Sequence, residues 1–298
     1  MELAVLYRAL GELARRRRHQ VARSSRPRLG RVNRRWIDLD GLSNLRDVGG
    51  LPTVDGREIR PGRLLRSENI QHLSRRDVDA LLGLGLTDVV DLRSDYEIKE
   101  EGPSRLARHR RVRVHAHSMF REWRAGIGEE KSDDDRPEVL PSEALPWVDL
   151  EPRVDLENEV AAVYLSYLID RPDSVLAALR AIGQAPGTVL VHCAAGKDRT
   201  GTIVALALLI AGADRDAVIA DYAASSDRIE AVVRRLLGSD AYEESLRETP
   251  LSAHFSRPES MIALLDHVEG SYGGVTELLG QMGWTAQDTG RLRAKLRD

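Results

Sequence analysis

The sequence contains one cysteine, Cys193, in 298 residues. A single thiol can form neither an intrachain disulfide nor a multi-cysteine metal site, so Cys193 is either an inert buried residue or a chemically active one. The chain also has no run of the ~20 apolar residues that a membrane span needs, and its first residues lack the apolar core of a signal peptide. We therefore expect a cytoplasmic protein, although these patterns do not distinguish it from one exported without a signal peptide.

Aromatic residues make up only 4% of the chain, and none is interleaved with the arginines near the N-terminus, so nucleic acid binding is not expected. Residues 1–36 hold eleven arginines and two acidic residues, a net charge of +9, which leaves −12 for the remainder. We interpret residues 1–36 as a basic N-terminal arm. Its leucines at helical spacing favour a solvated or core-docked helix, with contact to an acidic membrane surface as the weaker alternative.

Residues 37–298 combine apolar runs of strand length with helical periodicity. Strands are predicted at 87–92, 112–116 and 187–191, and turn signals within 44–62 indicate further short strands or a hairpin. Helices are predicted from a cap at Ser74 to near Gly83, twice between 156 and 182, and at 202–211, 215–224, 226–237, 258–269 and 286–297, with caps at Ser226 and Thr285 and a stop at Gly270. This order predicts an α/β fold with a central, mostly parallel sheet flanked by helices.

Residues 118–156 interrupt the pattern. They contain two tryptophans, two glycines, four prolines and an acidic run from Asp133 to Asp135. Irregular segments of this length inside a domain are usually functional or disordered. We interpret the segment as a mobile lid, with an ordinary surface loop as the alternative.

Residues 192–201, His-Cys-Ala-Ala-Gly-Lys-Asp-Arg-Thr-Gly, lie between a predicted strand and a predicted helix. Such a loop directs unpaired amides and the positive end of the helix dipole at an anion, without a metal. The small residues Ala194, Ala195 and Gly196 let the backbone wrap a phosphate, and Gly196 permits a positive φ. Arg199 supplies a planar fork for two phosphate oxygens, which lysine cannot reproduce.

The same positive field favours the thiolate form of Cys193. A thiolate at this position can attack phosphorus and form a phosphocysteine, while the amides and Arg199 hold the phosphate oxygens. The Thr200 hydroxyl can stabilise the thiolate when water later displaces it. Asp198 lies inside the loop and is therefore the first candidate for the general acid.

The pattern His-Cys-x5-Arg-Thr resembles the phosphate loop of cysteine-dependent phosphatases. Four further segments resemble those of the bacterial protein tyrosine phosphatases typified by mycobacterial tyrosine phosphatase B. They are residues 44–50 (Asn-Leu-Arg-Asp-Val-Gly-Gly), 60–67 (Arg-Pro-Gly-Arg-Leu-Leu-Arg-Ser), 89–94 (Val-Val-Asp-Leu-Arg-Ser) and 272–279 (Tyr-Gly-Gly-Val-Thr-Glu-Leu-Leu). The resemblance covers residues 40–298 and leaves the arm outside.

The resemblance implies a phosphatase fold with a helical lid, activity on phosphotyrosine, Cys193 as nucleophile and Arg199 as phosphate-binding residue. It also implies that Asp91 and Asp198 are acidic residues near the site, and that the motif at 44–50 has an architectural role. The Trp-Pro-Asp acid loop of eukaryotic members is absent, so Asp91 remains the second candidate for the general acid. Neither the loop chemistry nor the single cysteine calls for a metal or another cofactor.

Three functions remain open at this point. The first is hydrolysis of protein phosphotyrosine. The second is a phosphoinositide or dual-specificity phosphatase, because Lys197 resembles an extra basic residue in the loop of lipid phosphatases, although it could equally be a solvent-facing lysine. The third is an inactive phosphate-binding module, against which the intact Cys193, Asp198 and Arg199 argue. Arsenate reduction would require a second cysteine, which the chain lacks.

Overall fold

The computed structural model describes residues 35–120, 156–239 and 241–298. The predicted basic arm, 1–36, lies outside the described residues except for its last two. The predicted lid, 118–156, lies outside them except for 118–120 and 156. Both therefore stay predictions.

A six-stranded sheet runs through the described segments in the order β1-β2-β3-β6-β4-β5. The strands β3, β6, β4 and β5 are parallel, whereas β1 and β2 add an antiparallel edge. The predicted α/β fold with a mostly parallel sheet is confirmed. The strands are β1 Arg35–Trp36, β2 Arg46–Asp47, β3 Leu64–Ser67, β4 Leu86–Asp91, β5 Arg113–Ala116 and β6 Thr188–His192.

The helices of the described segments flank this sheet, and none of them is both long and apolar enough to cross a membrane. Two short 3-10 helices accompany them at Ala224–Arg228 and Leu251–His254. The α-helices are α1 Arg75–Gly83, α2 Asp95–Glu101, α3 Glu159–Asp170, α4 Pro172–Gln184, α5 Asp198–Ile210, α6 Arg215–Ala223, α7 Ile229–Leu236, α8 Glu243–Glu248, α9 Pro258–Tyr272, α10 Val275–Gln281 and α11 Ala286–Leu296.

Side-chain caps set several helix starts where the sequence predicts them. Ser74 and Asp77 form a reciprocal capping box at the start of α1, and Thr285 and Asp288 form another at the start of α11. Each pair satisfies backbone N–H groups that have no partner within the helix. The predicted caps at Ser74 and Thr285 are therefore confirmed.

The helix predictions differ from the structure in several details. Ser226 caps no α-helix, because it lies in a 3-10 helix and α7 begins only at Ile229. Gly270 does not end α9, which continues to Tyr272 and stops at Gly273, a residue with a φ of 84°. The short helices α2, α8 and α10 are not predicted, because seven, six and seven residues carry little helical periodicity.

Apolar residues cover both faces of the sheet. In β6, Val189 and Val191 join a large core with α3 to α6, whereas Leu190 between them joins a second core with α1. Successive side chains of a strand point to opposite faces, so β6 is buried on both sides. The loop that follows β6 therefore extends from a strand that is packed on both faces.

Candidate active site

Cys193 follows the last residue of β6, in the middle of the sheet. His192 lies opposite Ser67 of β3 on one side and Asp91 of β4 on the other. Parallel strands end at the same edge of a sheet, and ligands of α/β proteins bind there. The loop 193–197 starts at this edge and leads into α5, whose first residue is Asp198. Cys193 itself is buried.

Gly196 occupies the sharpest point of the loop, with a φ of 67°. A Cβ atom at this position would lie 2.3 Å from the carbonyl oxygen of Ser67. Both the backbone conformation and the close approach to β3 thus require glycine. The predicted positive φ of Gly196 is confirmed.

The carbonyl groups of the loop are held by hydrogen bonds from outside it. The backbone N–H of Asn69 donates to the Ala194 carbonyl oxygen at 2.8 Å. The side-chain Nδ2 of Asn44 donates to the carbonyl oxygens of Ala195 at 3.1 Å and Gly196 at 3.3 Å. In a trans peptide the C=O of one residue points opposite to the N–H of the next. The amides of residues 195–197 are therefore turned away from this shell, as in an anion nest.

Two buried arginines brace the same shell. Arg66 donates to the Gly196 oxygen at 2.9 Å and to Asp221 at 2.6 Å, and Arg46 donates to Asp221 at 2.9 Å and to Asn44 Oδ1 at 2.6 Å. Burial opposes the ionisation of Asp221, but the two guanidinium groups outweigh it and lower the pKa of Asp221. The motif at 44–50 thus fixes the loop, in agreement with an architectural role.

Arg199 lies in the first turn of α5 and is almost fully buried. Its two terminal nitrogens donate to the two carboxylate oxygens of Glu97 at 2.6 and 2.9 Å, and Nη1 also reaches the Leu92 oxygen at 3.3 Å. The ring of Phe120 packs on the guanidinium, 4.8 Å from its centroid. Burial raises the pKa of Glu97, but Arg199 outweighs this effect and the net shift is downward. Arg199 is thus held in one orientation.

Glu97 is not singled out by the sequence, yet it has several partners in the site. Ser94 caps α2, and its hydroxyl and amide pair with Glu97 in a capping box. The Tyr242 hydroxyl also donates to Glu97, at 3.0 Å. The Ser-x-x-Glu pattern could have indicated the helix cap. It could not have indicated the ion pair with Arg199, which joins distant parts of the chain.

Asp198 is held from the side by a tyrosine. Its Oδ1 accepts a hydrogen bond from the Tyr164 hydroxyl and lies 3.5 Å from Lys197 Nζ. The Tyr164 and Tyr222 hydroxyl oxygens are 2.8 Å apart. Burial raises the pKa of Tyr164 well above its usual value, and the charge on Asp198 adds to this effect. Tyr164 therefore stays protonated and donates a hydrogen bond to the Asp198 carboxyl group. Sequence reasoning misses Tyr164, since its spacing is that of an ordinary core residue of α3.

Asp91 has a different environment, although it ends the strand next to Cys193. Its carboxylate accepts three hydrogen bonds from the Arg93 guanidinium, at 2.7 to 3.2 Å, and lies 3.6 Å from His192 Nε2. Burial would raise the pKa of Asp91, but His192 and Arg93 outweigh it and lower that pKa to about 2. Arg93 continues the network to Glu101 at 2.8 Å. Asp91 is therefore part of a buried ion-pair network.

Lys197 is 9% exposed and points across the loop rather than into solvent. Its Nζ donates to the His254 carbonyl oxygen at 3.0 Å and lies 3.5 Å from Asp198 Oδ1. This ammonium group links the 3-10 helix Leu251–His254 to the loop 193–197. The simple alternative of a solvent-facing lysine is therefore wrong.

The Thr200 hydroxyl is buried in the first turn of α5 and has no hydrogen-bond partner among the described residues. His192 Nδ1 lies 3.3 Å from the Cys193 carbonyl oxygen, and burial lowers the pKa of His192. The fully buried His192 ring packs against the loop and has no access to solvent.

The described part of the chain contains no group of three or more His, Cys, Asp or Glu side chains placed to hold a metal ion. The acidic side chains of the site are instead paired with arginine or tyrosine. What the arrangement can hold is an anion, between the loop amides and the free edge of Arg199.

Residues 37–298 match the family described as the tyrosine phosphatase family. Over 283 residues the chain is 30% identical to the triple specificity protein phosphatase PtpB of Mycobacterium tuberculosis, with 87% of this chain and 98% of that protein covered. It is 26% identical over 251 residues to a tyrosine-protein phosphatase of Nostoc commune, with 82% and 78% covered. These matches confirm the resemblance seen in the loop and its four companion segments. The chain belongs to the tyrosine phosphatase family and is a phosphoric monoester hydrolase.

Proposed function

We propose that the enzyme hydrolyses phosphotyrosine in proteins through a phosphocysteine intermediate on Cys193. The observation that carries the proposal is the geometry of the loop 193–199. Asn44 and Arg66 donate hydrogen bonds to the Ala195 and Gly196 carbonyl oxygens, so the neighbouring backbone N–H groups face the opposite side, where they can bind an anion beside Cys193. The family supplies the reaction class, and the loop supplies one nucleophile and one phosphate site.

In the first step, the Cys193 thiolate attacks phosphorus, and the S–P bond forms as the bond to the tyrosine oxygen breaks. The Arg199 guanidinium has five N–H donors. Its hydrogen bonds to Glu97 and Leu92 use both N–H groups of Nη1 and one N–H group of Nη2. The N–H on Nε and the second N–H on Nη2 have no partner among the described residues and lie along one edge of the guanidinium. This edge can bind two phosphate oxygens in parallel, while the loop amides bind the remaining charge.

In the second step, water attacks the phosphocysteine, the S–P bond breaks and inorganic phosphate leaves. Asp198 gives its proton to the departing phenolate in the first step and takes one from water in the second, so the cycle closes without a net proton change on the enzyme. The buried Thr200 hydroxyl, which has no partner among the described residues, is available to donate to the departing thiolate.

Asp198 fits the role of general acid better than Asp91. A group that donates a proton near neutral pH must hold it, and a carboxyl whose pKa is about 2 does not. The Asp91 carboxylate is also occupied by the Arg93 guanidinium on both oxygens. The Asp198 side chain is 22% exposed and shares the loop with Cys193.

Phosphotyrosine is favoured over phosphoinositides as the substrate. A second phosphate group would need an uncommitted cation, whereas Lys197 is bound to His254 and Asp198. The relative PtpB is named a triple specificity protein phosphatase, so substrates other than phosphotyrosine need to be examined as well. A panel of phosphotyrosine, phosphoserine and phosphothreonine peptides with phosphoinositides decides between these classes.

The nucleophile is tested with Cys193→Ser. We expect this variant to lose turnover of a phosphotyrosine peptide while it still binds vanadate, because the nest and Arg199 remain. Turnover near that of the wild type would overturn the mechanism. EDTA should leave wild-type turnover unchanged, and a loss that a divalent ion restores would indicate another mechanism.

The general acid is tested with Asp198→Asn and Asp91→Asn on aryl phosphates of rising phenol pKa. General acid catalysis contributes ~10² to 10⁴-fold, and it contributes most when the leaving group is poor. We expect Asp198→Asn to lose most activity on the poorest leaving groups and Asp91→Asn to lose activity uniformly. The reverse pattern would assign the acid to Asp91.

A further inference from the structure

Three helices meet at the carboxylate of Asp198 through two tyrosine hydroxyls. Tyr164 comes from the middle of α3, Tyr222 from the end of α6, and Asp198 is the first residue of α5. Both tyrosines are 1% exposed, and their rings meet edge to face with centroids 6.1 Å apart. The Tyr164 hydroxyl contacts Asp198 Oδ1 on one side and the Tyr222 hydroxyl, at 2.8 Å, on the other.

The chemistry of these groups fixes the direction of both hydrogen bonds. Oδ1 of Asp198 can only accept, both in the carboxylate and in the acid protonated on Oδ2, so the Tyr164 hydroxyl donates its hydrogen bond to Oδ1. Tyr164 then has no proton for Tyr222, and Tyr222 must donate to Tyr164. Burial raises the pKa of both hydroxyls above the usual value, so both keep these protons. The result is a directed chain from Tyr222 to Tyr164 to Asp198.

This chain distinguishes the two oxygens of Asp198. Oδ1 contacts Tyr164 and lies 3.5 Å from Lys197 Nζ, whereas Oδ2 accepts no hydrogen bond from the described residues. An aspartate in the first turn of a helix is attracted to the free amides of its own N-terminus. A fixed donor at Oδ1 holds the side chain in one orientation despite that attraction.

We propose that Tyr164, supported by Tyr222, is a positioning residue that holds Oδ1 of Asp198 and presents Oδ2 as the oxygen that exchanges the proton with the leaving group. The inference rests on the proposed role of Asp198 as general acid, and it assigns the orientation of that carboxyl group to Tyr164 and Tyr222. Tyr164 does not touch the substrate in this scheme, because its hydroxyl is buried behind the carboxylate.

The test compares Tyr164→Phe, Tyr222→Phe and Asp198→Asn on the same series of aryl phosphates. We expect Tyr164→Phe to lower kcat/KM about 10-fold on the poorest leaving groups and much less on p-nitrophenyl phosphate, because the hydrogen bond that orients Asp198 for proton donation has been lost. Tyr222→Phe should show the same trend with a smaller loss. The affinity for vanadate and KM should stay unchanged in both variants, since the nest is untouched.

A double-mutant cycle separates positioning from general damage to the fold. In the Asp198→Asn background, Tyr164→Phe should have almost no further effect on poor leaving groups, because the residue it positions no longer donates a proton. Tyr272→Phe, which removes a tyrosine hydroxyl on α9, is the matched control and should leave activity unchanged. Thermal unfolding of each variant shows whether it is folded, and Tyr222→Phe carries the test if Tyr164→Phe is not.

A loss in Tyr164→Phe that is equal for all leaving groups, or that adds fully to that of Asp198→Asn, would overturn the inference while the role of Asp198 stands. If Asp198→Asn itself shows no dependence on the leaving group, the assignment of the general acid fails and the inference fails with it. If Cys193→Ser remains active, the whole reaction scheme fails. The three failures are therefore distinguishable.

Discussion

Glu97 and Arg199 form a buried ion pair in which each partner neutralises the other. Both side chains are almost completely inaccessible, and two parallel hydrogen bonds join them. Removal of one partner from such a pair leaves the other charge buried and unpaired, which typically costs ~3–5 kcal/mol. The pair therefore contributes to folding as well as to the orientation of Arg199.

We predict that Glu97→Gln destabilises the protein by about 3 kcal/mol and weakens vanadate binding, because Arg199 loses its fixed orientation. Urea unfolding and vanadate inhibition measure the two effects. The matched control is Glu230→Gln, which breaks an exposed pair with Arg234 on α7 and should change the free energy of unfolding by less than ~0.5 kcal/mol. Equal effects of both substitutions would contradict the prediction.

The contribution of Asp91 to stability depends on pH. The pKa of Asp91 is about 2 in the folded protein and ~3.9 in an unfolded chain, so ionised Asp91 stabilises the fold above pH ~4, and this stability is lost as the pH falls toward 2. A difference of about two pKa units corresponds to ~2 to 3 kcal/mol.

The free energy of unfolding of Asp91→Asn should therefore lie at least ~2 kcal/mol below that of the wild type at pH 7. The gap should narrow as the pH falls from 4 to 2. Urea unfolding of both proteins across this range provides the measurement, and the difference between them isolates Asp91 from other carboxylates. A gap that is constant from pH 7 to 2 would show that the pKa of Asp91 is not lowered.

Sequence reasoning finds the residues of the loop, because Cys193, Gly196 and Arg199 are neighbours whose chemistry depends on local backbone geometry. It misses Glu97 and Tyr164, which lie 102 and 34 residues from their partners. It also leaves both Asp91 and Asp198 as candidates for the general acid. The two differ in what surrounds them, and these surroundings are set by the packing of the sheet.

At the scale of helices and strands, local patterns are most informative where a side chain itself forms the boundary. Ser74 and Thr285 cap helices through their own hydroxyls, and both caps are predicted. The start of α5 is predicted four residues late, at 202 instead of Asp198, because its polar first turn carries no apolar periodicity. The prediction at Gly270 is wrong because a glycine forms this kind of helix end only when its φ is positive.

Gly270 lies within α9 and Gly273 lies at its C-terminal end, so alanine substitutions at the two positions should have opposite effects on stability. Gly270 is helical, and a Cβ atom added there would meet no atom within 4 Å, whereas Gly273 ends the helix at a φ of 84° with no close side-chain clash. Gly270→Ala should stabilise the protein by up to ~1 kcal/mol, and Gly273→Ala should destabilise it by ~1 to 2 kcal/mol. Urea unfolding measures both, and changes of the same sign would contradict this interpretation.

The central sheet begins before residue 37. Trp36 belongs to β1, and its ring contacts the guanidinium groups of Arg46 and Arg228, at 5.0 and 4.8 Å. Arg46 is also part of the shell around the phosphate loop. The boundary of the folded unit therefore matters for the design of any truncated form.

Two N-terminal truncations, one that keeps β1 and one that removes it, should differ in stability. Removal of residues 1–34 should leave kcat/KM for p-nitrophenyl phosphate unchanged, because the family match begins at residue 37 and the sheet remains complete. Removal of residues 1–36 deletes β1 and both cation–π contacts of Trp36, and should lower the free energy of unfolding by ~1 to 2 kcal/mol. A large fall in kcat for the shorter deletion would show that the arm is part of the catalytic unit.

The shell that holds the phosphate loop is drawn from residues far apart along the chain. Asn44 reaches Ala195 across 151 residues, and Arg66 reaches Gly196 across 130 and Asp221 across 155. Contacts of such long range form late, because loop closure must come first. During synthesis, a nascent chain that already contains Cys193 and Arg199 still lacks Asp221. Full support of the loop therefore requires the chain to have been synthesised at least as far as Asp221, and an anion that binds the loop should stabilise the folded protein against unfolding.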